Sequence, residues 1–320
     1  MRPLIRTALI LSIGVLGGGA AAFAPFPAAS APQGRDGGQF TIAVDVDLVV
    51  FNVTVTDGRG RHVPGLRANQ FQVSEDNRLQ NIAVFNAEHS SASIGLIIDN
   101  SGSMLAKRAD VVKAAIAFAD ASSEDDEIFV INFNENVYLA LPPSIPFTNK
   151  PDEIRSALLG ASPTGMTALY DAVAAGIEHL KRGTRARKAL VVLSDGGDNA
   201  SRRRLDEVIE NARRTSATVY AIGIYDEADM DRNPGVLRKI SELSGGRAYF
   251  PKSLTALNQV WRDVAGEIRN QYTIGYHSSN PARDGAFRKV TITASRNGER
   301  NLRVTARQGY VASAGASTVR

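Results

Sequence analysis

"GLIIDNSGSM", residues 95–104, opens with a glycine and three apolar residues and then turns abruptly to Asp99, Ser101 and Ser103. A short apolar run bounded by polar turn residues fits a strand buried on both faces. Similar runs recur downstream as "EIFVINF" (127–133), "KALVVLS" (188–194) and "ATVYAIGI" (217–224). The stretches between them have helical periods. Val112, Ala115, Ile116 and Ala119 share a face, as do Leu169, Val173, Ile177 and Leu180, and Leu257, Val260, Trp261, Val264 and Ile268. Alternating buried strands and amphipathic helices predict an α/β fold with a mostly parallel, doubly wound sheet.

Outside this section the pattern has a period of two. "VDLVVFNVTVTDGRG" (46–60) puts Phe51, Val53 and Val55 on one face and Asn52, Thr54 and Thr56 on the other, then stops at Asp57-Gly58. A second alternation places Phe71 and Val73 before a turn at Glu75-Asp76-Asn77, and Ile82 and Val84 after it. Strand patterns return after Arg269 in "QYTIGYH", "RKVTITA" and "LRVTARQGY". Each flank holds too few strands to bury a core alone, so the two are expected to pair as a small β-sandwich. No internal repeat is present.

The N-terminus has its own logic. Arg2 and Arg6 precede an apolar run from Ala8 to Leu16 and a small-residue segment from Gly17 to Ala22, the three-part pattern of a secretory signal peptide. This predicts an extracytoplasmic protein, periplasmic or secreted. The alternative is a membrane anchor left uncleaved, for which the run is short. The expected organisation is a signal peptide at 1–24, a Pro/Ala/Gly-rich linker at 25–39 and a β-rich region at 40–90. An α/β domain at 91–268, C-terminal strands at 269–313 and a tail at 314–320 follow. No later segment is long and apolar enough to cross a membrane.

Composition closes several routes. The chain has no cysteine, which excludes disulfides, a thiolate nucleophile and zinc–thiolate sites. The formal charge of +4 falls to +2 once Arg2 and Arg6 leave with the leader, so no nucleic-acid partner is expected. The basic stretch "KRGTRARK" (181–188) and Arg202-Arg203-Arg204 read as solvated charge near helix ends. His62, His89, His179 and His277 are scattered without metal-ligand spacing and are expected on surfaces or strand edges. Trp261 belongs to a core-facing stripe, and "SGGR" at 244–247 is a helix stop.

In open parallel sheets, ligands bind beyond the carboxyl ends of strands, where the winding reverses. Asp99 follows one buried strand, Asp195 in "VVLSDGGDN" follows another, and Thr167 in "TGMTALYDA" opens a helix between them. Asp and Ser also make turns and caps, so the ordered placement of these residues matters more than the letters. Two carboxylates and three hydroxyls form an all-oxygen donor set suited to Mg²⁺, with Mn²⁺ or Ca²⁺ as alternatives.

Asp99-Asn100-Ser101-Gly102-Ser103, with Thr167 and Asp195, resembles the metal-ion-dependent adhesion site of von Willebrand factor type A domains. The likeness spans roughly residues 91–268, and the whole chain is similar to bacterial secreted proteins in which β strands flank such a domain. It implies a Rossmann-like fold and a divalent cation held directly by Ser101 and Ser103. Thr167, Asp99 and Asp195 then contribute directly or through water, and a protein partner supplies a carboxylate to the metal. One departure stands out: Met166 precedes Thr167 where the familiar form has glycine.

The resemblance thus implies metal-dependent protein binding or adhesion without enzymatic activity. Asp198 and Asn199 are left as turn residues. A structural or assembly role in the cell envelope, with a purely stabilising metal, is the alternative. A metal-dependent phosphoester hydrolase is disfavoured, because no second aspartate lies two residues after Asp99 and no phosphate-binding lysine is evident near the site. A Gly-rich phosphate loop and a G-x-S-x-G elbow are also missing from the sequence.

Overall fold

The computed structural model describes residues 48–88, 90–224, 232–296 and 301–314. The expected signal peptide, the linker, the stretch to residue 47, His89 and residues 315–320 lie outside the described residues. The first flank carries β1 (Leu48–Thr56), β2 (Phe71–Glu75), β3 (Arg78–Gln80) and β4 (Ile82–Asn86). The alternating section runs β5 (Ala92–Asp99), α1 (Arg108–Asp120), β6 (Glu127–Phe133), β7 (Val137–Leu139), α2 (Pro151–Leu159), α3 (Leu169–Leu180) and β8 (Arg187–Ser194). It continues with α4 (Leu205–Arg214), β9 (Thr218–Gly223), α5 (Pro234–Leu243), β10 (Ala248–Tyr249) and α6 (Leu254–Arg269). The second flank supplies β11 (Tyr272–His277), β12 (Phe287–Ala294), β13 (Arg303–Thr305) and β14 (Gly309–Val311).

The central sheet has strand order β10-β9-β8-β5-β6-β7, parallel except for β7. From β5 the chain moves one way to β6, then returns across β5 to reach β8. With right-handed crossovers, that reversal puts helices on both faces of the sheet. Accordingly, α1 packs with α2 and α6, while α3, α4 and α5 pack in series. Every residue of β5 is buried, as its unbroken apolar run requires. Gly95 is there for space: a Cβ would lie 2.3 Å from the Phe129 ring and 2.5 Å from Leu190.

The flanks pair as expected. N-terminal β1 runs antiparallel to C-terminal β11, and β12 runs antiparallel to β2. This builds two four-stranded sheets, β13-β1-β11-β4 and β14-β12-β2-β3, around Phe51, Val53, Val73, Ile274, Tyr276 and Ile292. The "LRVTARQGY" stretch divides between the two sheets as β13 and β14. In β4 the simple alternation fails: Tyr276 pairs with Ile82 and Gly275 with Val84, leaving Ala83 as an extra residue. The irregularity lets Ile82 and Phe85 pack on the core, while Val84 is left 40% exposed at the sheet edge.

Two polar residues lie deeper than their sequence context predicts. Arg187, expected among the solvated cations, begins β8 and is only 1% exposed. Its guanidinium donates to the carbonyls of Arg269 and Ile268 at the end of α6, to Gln271 just before β11, and to Glu88 between β4 and β5. A cation at a helix C-terminus is favoured by the dipole, and here it is also the hydrogen-bond partner of carbonyls that water would otherwise serve. His179, expected at a surface or strand edge, is turned inward by α3. Its Nε2 meets the Pro146 carbonyl at 2.7 Å, and its ring packs 4.4 Å from the Phe129 ring centroid. Arg187 is thus a polar tie between the α/β section and the sandwich. Arg187→Met, which keeps length and loses every donor, should lower stability by at least ~3 kcal/mol in urea denaturation; a loss below ~1 kcal/mol would show that the tie is dispensable.

Candidate metal centre

Asp99 ends β5 with its side chain wholly buried. Its Oδ1 accepts from the Ser101 amide at 2.8 Å, and its Oδ2 accepts from Ser194 Oγ at 2.6 Å. Burial pushes the carboxyl up to about 6, against these hydrogen bonds, and the nearby charge of Asp195 pushes the same way. Asn100 continues the edge, donating its backbone N–H to the Phe133 carbonyl at 2.7 Å. The chain then bends so that the Ser101 and Ser103 hydroxyl oxygens lie 3.1 Å apart.

Ser103 Oγ donates to Asp195 Oδ2 at 2.5 Å, joining the loop after β5 to the loop after β8. Asp195 Oδ1 accepts from the Gly197 amide at 3.1 Å. The third segment arrives through backbone contacts. Gly102 N–H donates to the Gly165 carbonyl at 3.1 Å, and Thr164 N–H donates to the Asn100 carbonyl at 2.8 Å. Thr167 is buried beside them. Its N–H donates to Asn199 Oδ1 at 2.8 Å, and its carbonyl accepts from the Asn199 and Ala200 amides, both at 3.0 Å.

Ser101, Ser103, Asp99 and Asp195 are therefore linked by side-chain or side-chain-to-backbone hydrogen bonds, whereas the bonds recorded for Thr167 run through its backbone. Two further residues position this cluster. Ser194 directly precedes Asp195 yet serves Asp99; its strand-end place in "LSDGG" was the available signal. Asn199, read as a turn residue, reciprocally clamps Thr167. Met166 is exposed, and its amide donates to Glu135 Oε2 at 3.1 Å.

Among the described residues, no three His, Cys, Asp or Glu side chains gather as a metal-holding group. The constellation instead contains two carboxylates and three hydroxyls. Such a donor set matches a hard divalent cation, which takes oxygen ligands and keeps some of its waters. The two acidic side chains also sit where positive charge would relieve their burial and mutual repulsion. By donor chemistry, the residues fit the ion.

The von Willebrand factor type A domain family matches residues 93–263. An uncharacterized protein of Borreliella burgdorferi is 28% identical over 185 residues, 49% of this chain and 53% of its own length. The chain thus spans about half the length of that curated relative. Among solved structures, a von Willebrand factor type A protein from Catenulispora acidiphila is similar at 15% identity and TM-score 0.52, covering 84% of this chain and 74% of its own. The conserved hypothetical protein BatB from Bacteroides thetaiotaomicron is 16% identical at TM-score 0.46, covering 55% of this chain and 98% of its own.

Gly165 carries the loop before Thr167 with φ +76°, and an added Cβ would fall 1.8 Å from Glu135 Oε2. Gly165→Ala should therefore strain the backbone and expel the Glu135 carboxylate from the Met166 amide, lowering stability by ~2 kcal/mol in metal-free urea denaturation. Made in a Glu135→Ala background, the same change should cost only ~1 kcal/mol, because backbone strain alone remains. Equal costs in the two backgrounds would rule out the Glu135 contact.

Proposed function

Because the chain belongs to the von Willebrand factor type A domain family, we propose that it is an exported, non-enzymatic binding protein that captures a protein partner through a divalent cation. Domains of this type mediate protein–protein interaction. The ion, Mg²⁺ in the first instance, would be held by Ser101 and Ser103, with Asp99, Thr167 and Asp195 contributing directly or through water. The supporting observation is the convergence of the loops after β5 and β8 at the reversal point of the sheet, closed by the Ser103–Asp195 bond.

When bound, the ion would supply an electrophilic position for an anionic oxygen ligand. The chain's own residues do the rest. Ser194 and the Ser101 amide hold the Asp99 carboxylate in place, Asn199 fixes the loop carrying Thr167, and neutral hydroxyls at Ser101 and Ser103 limit the negative charge. With only two carboxylates in the set, a third from the partner is electrostatically favourable. Export rests on the N-terminal sequence pattern; no helix among the described residues is long and apolar enough to cross a membrane.

Calorimetric titration of the full chain with MgCl₂ or MnCl₂ should reveal saturable binding. Asp99→Ala and Asp195→Ala should weaken it at least ~10-fold, the loss that removal of even an outer-sphere partner causes, with circular dichroism unchanged. Capture of a partner from an envelope extract should require Mg²⁺ and fail in EDTA. Absence of metal binding by the parent protein, or partner capture that persists in EDTA, would sink the proposal.

A further inference from the structure

Away from the metal centre, α1 and α6 pack side by side, with the Phe118 and Trp261 ring centroids 4.9 Å apart. A groove of about 510 Å³ runs between the two helices. Small side chains leave this space open. Ala117 and Ala121 are exposed on the α1 side, and Ala265 faces the groove from α6. Phe118 and Trp261 complete an apolar floor. From Lys113 to Ala121 the helix advances about 12 Å at 1.5 Å per residue, so the groove is about two turns long.

Its rim is basic. Lys113, Arg262 and Arg269 line the groove, and no acidic residue does. Arg269 donates to the Ala121 carbonyl at 2.6 Å, which fixes it at one end, while Lys113 stands two turns earlier on α1. Arg262, exposed on α6, donates to Gln259 Oε1 at 2.7 Å. Both acceptors are neutral, and among the described residues no carboxylate pairs with any of these three cations. Elsewhere on the same helices cations are paired: Arg155 lies 3.8 Å from Asp120 of α1, and Arg247 lies 3.0 Å from Glu267 of α6. The dipole of α1 accounts for Arg269 beside the Ala121 carbonyl. It does not account for Lys113 and Arg262, which lie well before the ends of their helices.

An apolar floor with unpaired cations along its length calls for an occupant that is apolar in the middle and anionic at both ends. A single-chain amphiphile carries its charge at one end only. A protein segment with carboxylates two turns apart and an apolar side chain between them matches the whole groove. We propose that the α1–α6 groove is a second docking surface of this protein, taking an acidic amphipathic helix of a protein partner. The site is independent of the metal-dependent reading, and its test separates the two.

Trp261, the sole tryptophan of the chain, reports on the groove floor. The probe is a dansyl-labelled peptide, Glu-Ala-Ala-Leu repeated three times and ended by Glu, titrated into the full chain in EDTA while energy transfer from Trp261 is followed. Transfer should saturate with a dissociation constant of order 100 μM, and the Lys-for-Glu analogue should bind at least ~10-fold more weakly. Lys113→Glu combined with Arg262→Glu, both at exposed positions, should weaken the Glu peptide at least ~10-fold and make the Lys analogue the better ligand. Ala117→Phe, which fills the groove without changing charge, should also weaken the Glu peptide at least ~10-fold. None of these changes should alter the Mg²⁺ titration. Absence of saturable transfer, equal binding of the two peptides, or undiminished binding in both variants would overturn the proposal. Peptide binding that requires Mg²⁺ would overturn it too, because the Glu side chains would then be engaging the metal centre. Two other occupants have their own arms: sedimentation with phosphatidylglycerol vesicles, or a dimer in analytical ultracentrifugation, abolished by the double charge reversal would assign the groove to a lipid surface or a second copy and overturn the protein partner.

Discussion

A carboxylate buried at the end of a central strand is an expensive group, and the apex of this protein is arranged around that cost. Asp99 cannot reach water, so its oxygens must be served by protein donors or by a cation. The Ser101 amide and the Ser194 hydroxyl serve them. Because Ser194 ends β8, meeting this need holds the ends of β5 and β8 together at the reversal point of the sheet. The Ser103–Asp195 bond and the Asn199 clasp on Thr167 extend the same closure to the loop before α3. The groups that satisfy Asp99 and its neighbours therefore also assemble an all-oxygen site.

At the opposite end of the same sheet a second buried charge performs the complementary task. Arg187 starts β8 and gathers four carbonyls from the end of α6, the approach to β11 and the link between β4 and β5. Chain segments that enter and leave the α/β section are thereby held side by side. That geometry permits β1 to pair with β11 and β2 with β12, so that two flanks, each too small for a core of its own, make one. Inside the sandwich, Glu75 is likewise buried and accepts from the Tyr276, Ser278 and Tyr310 hydroxyls.

Much of this was legible in the residues. Short apolar runs such as Ile94–Ile98, bounded by polar turn residues, fit strands covered on both faces, and helical stripes such as Leu169, Val173, Ile177 and Leu180 supply the covering. The ordered placement of Asp99, Thr167 and Asp195 behind such elements pointed to one edge of the sheet. Where local pattern misled, a nonlocal partner was responsible. The extra residue in β4 turned Val84 outward, His179 was drawn inward between the rings of Phe129 and Phe147, and Arg187 was grouped with exposed arginines only because its carbonyl partners lie about eighty to a hundred residues away in sequence.

The sequence by itself determined the order of strands and helices, the pairing of the flanks and the residue types at the apex. These follow from hydrophobic period and donor chemistry, which are local properties of a chain. Only the tertiary structure decided that Ser194 serves Asp99, that Asn199 secures Thr167, and that the Asn100 amide group donates to Asn132. Each depends on the direction in which one side chain meets a group from a distant segment. Spacing along the sequence carries no such information until the sheet has brought the segments together.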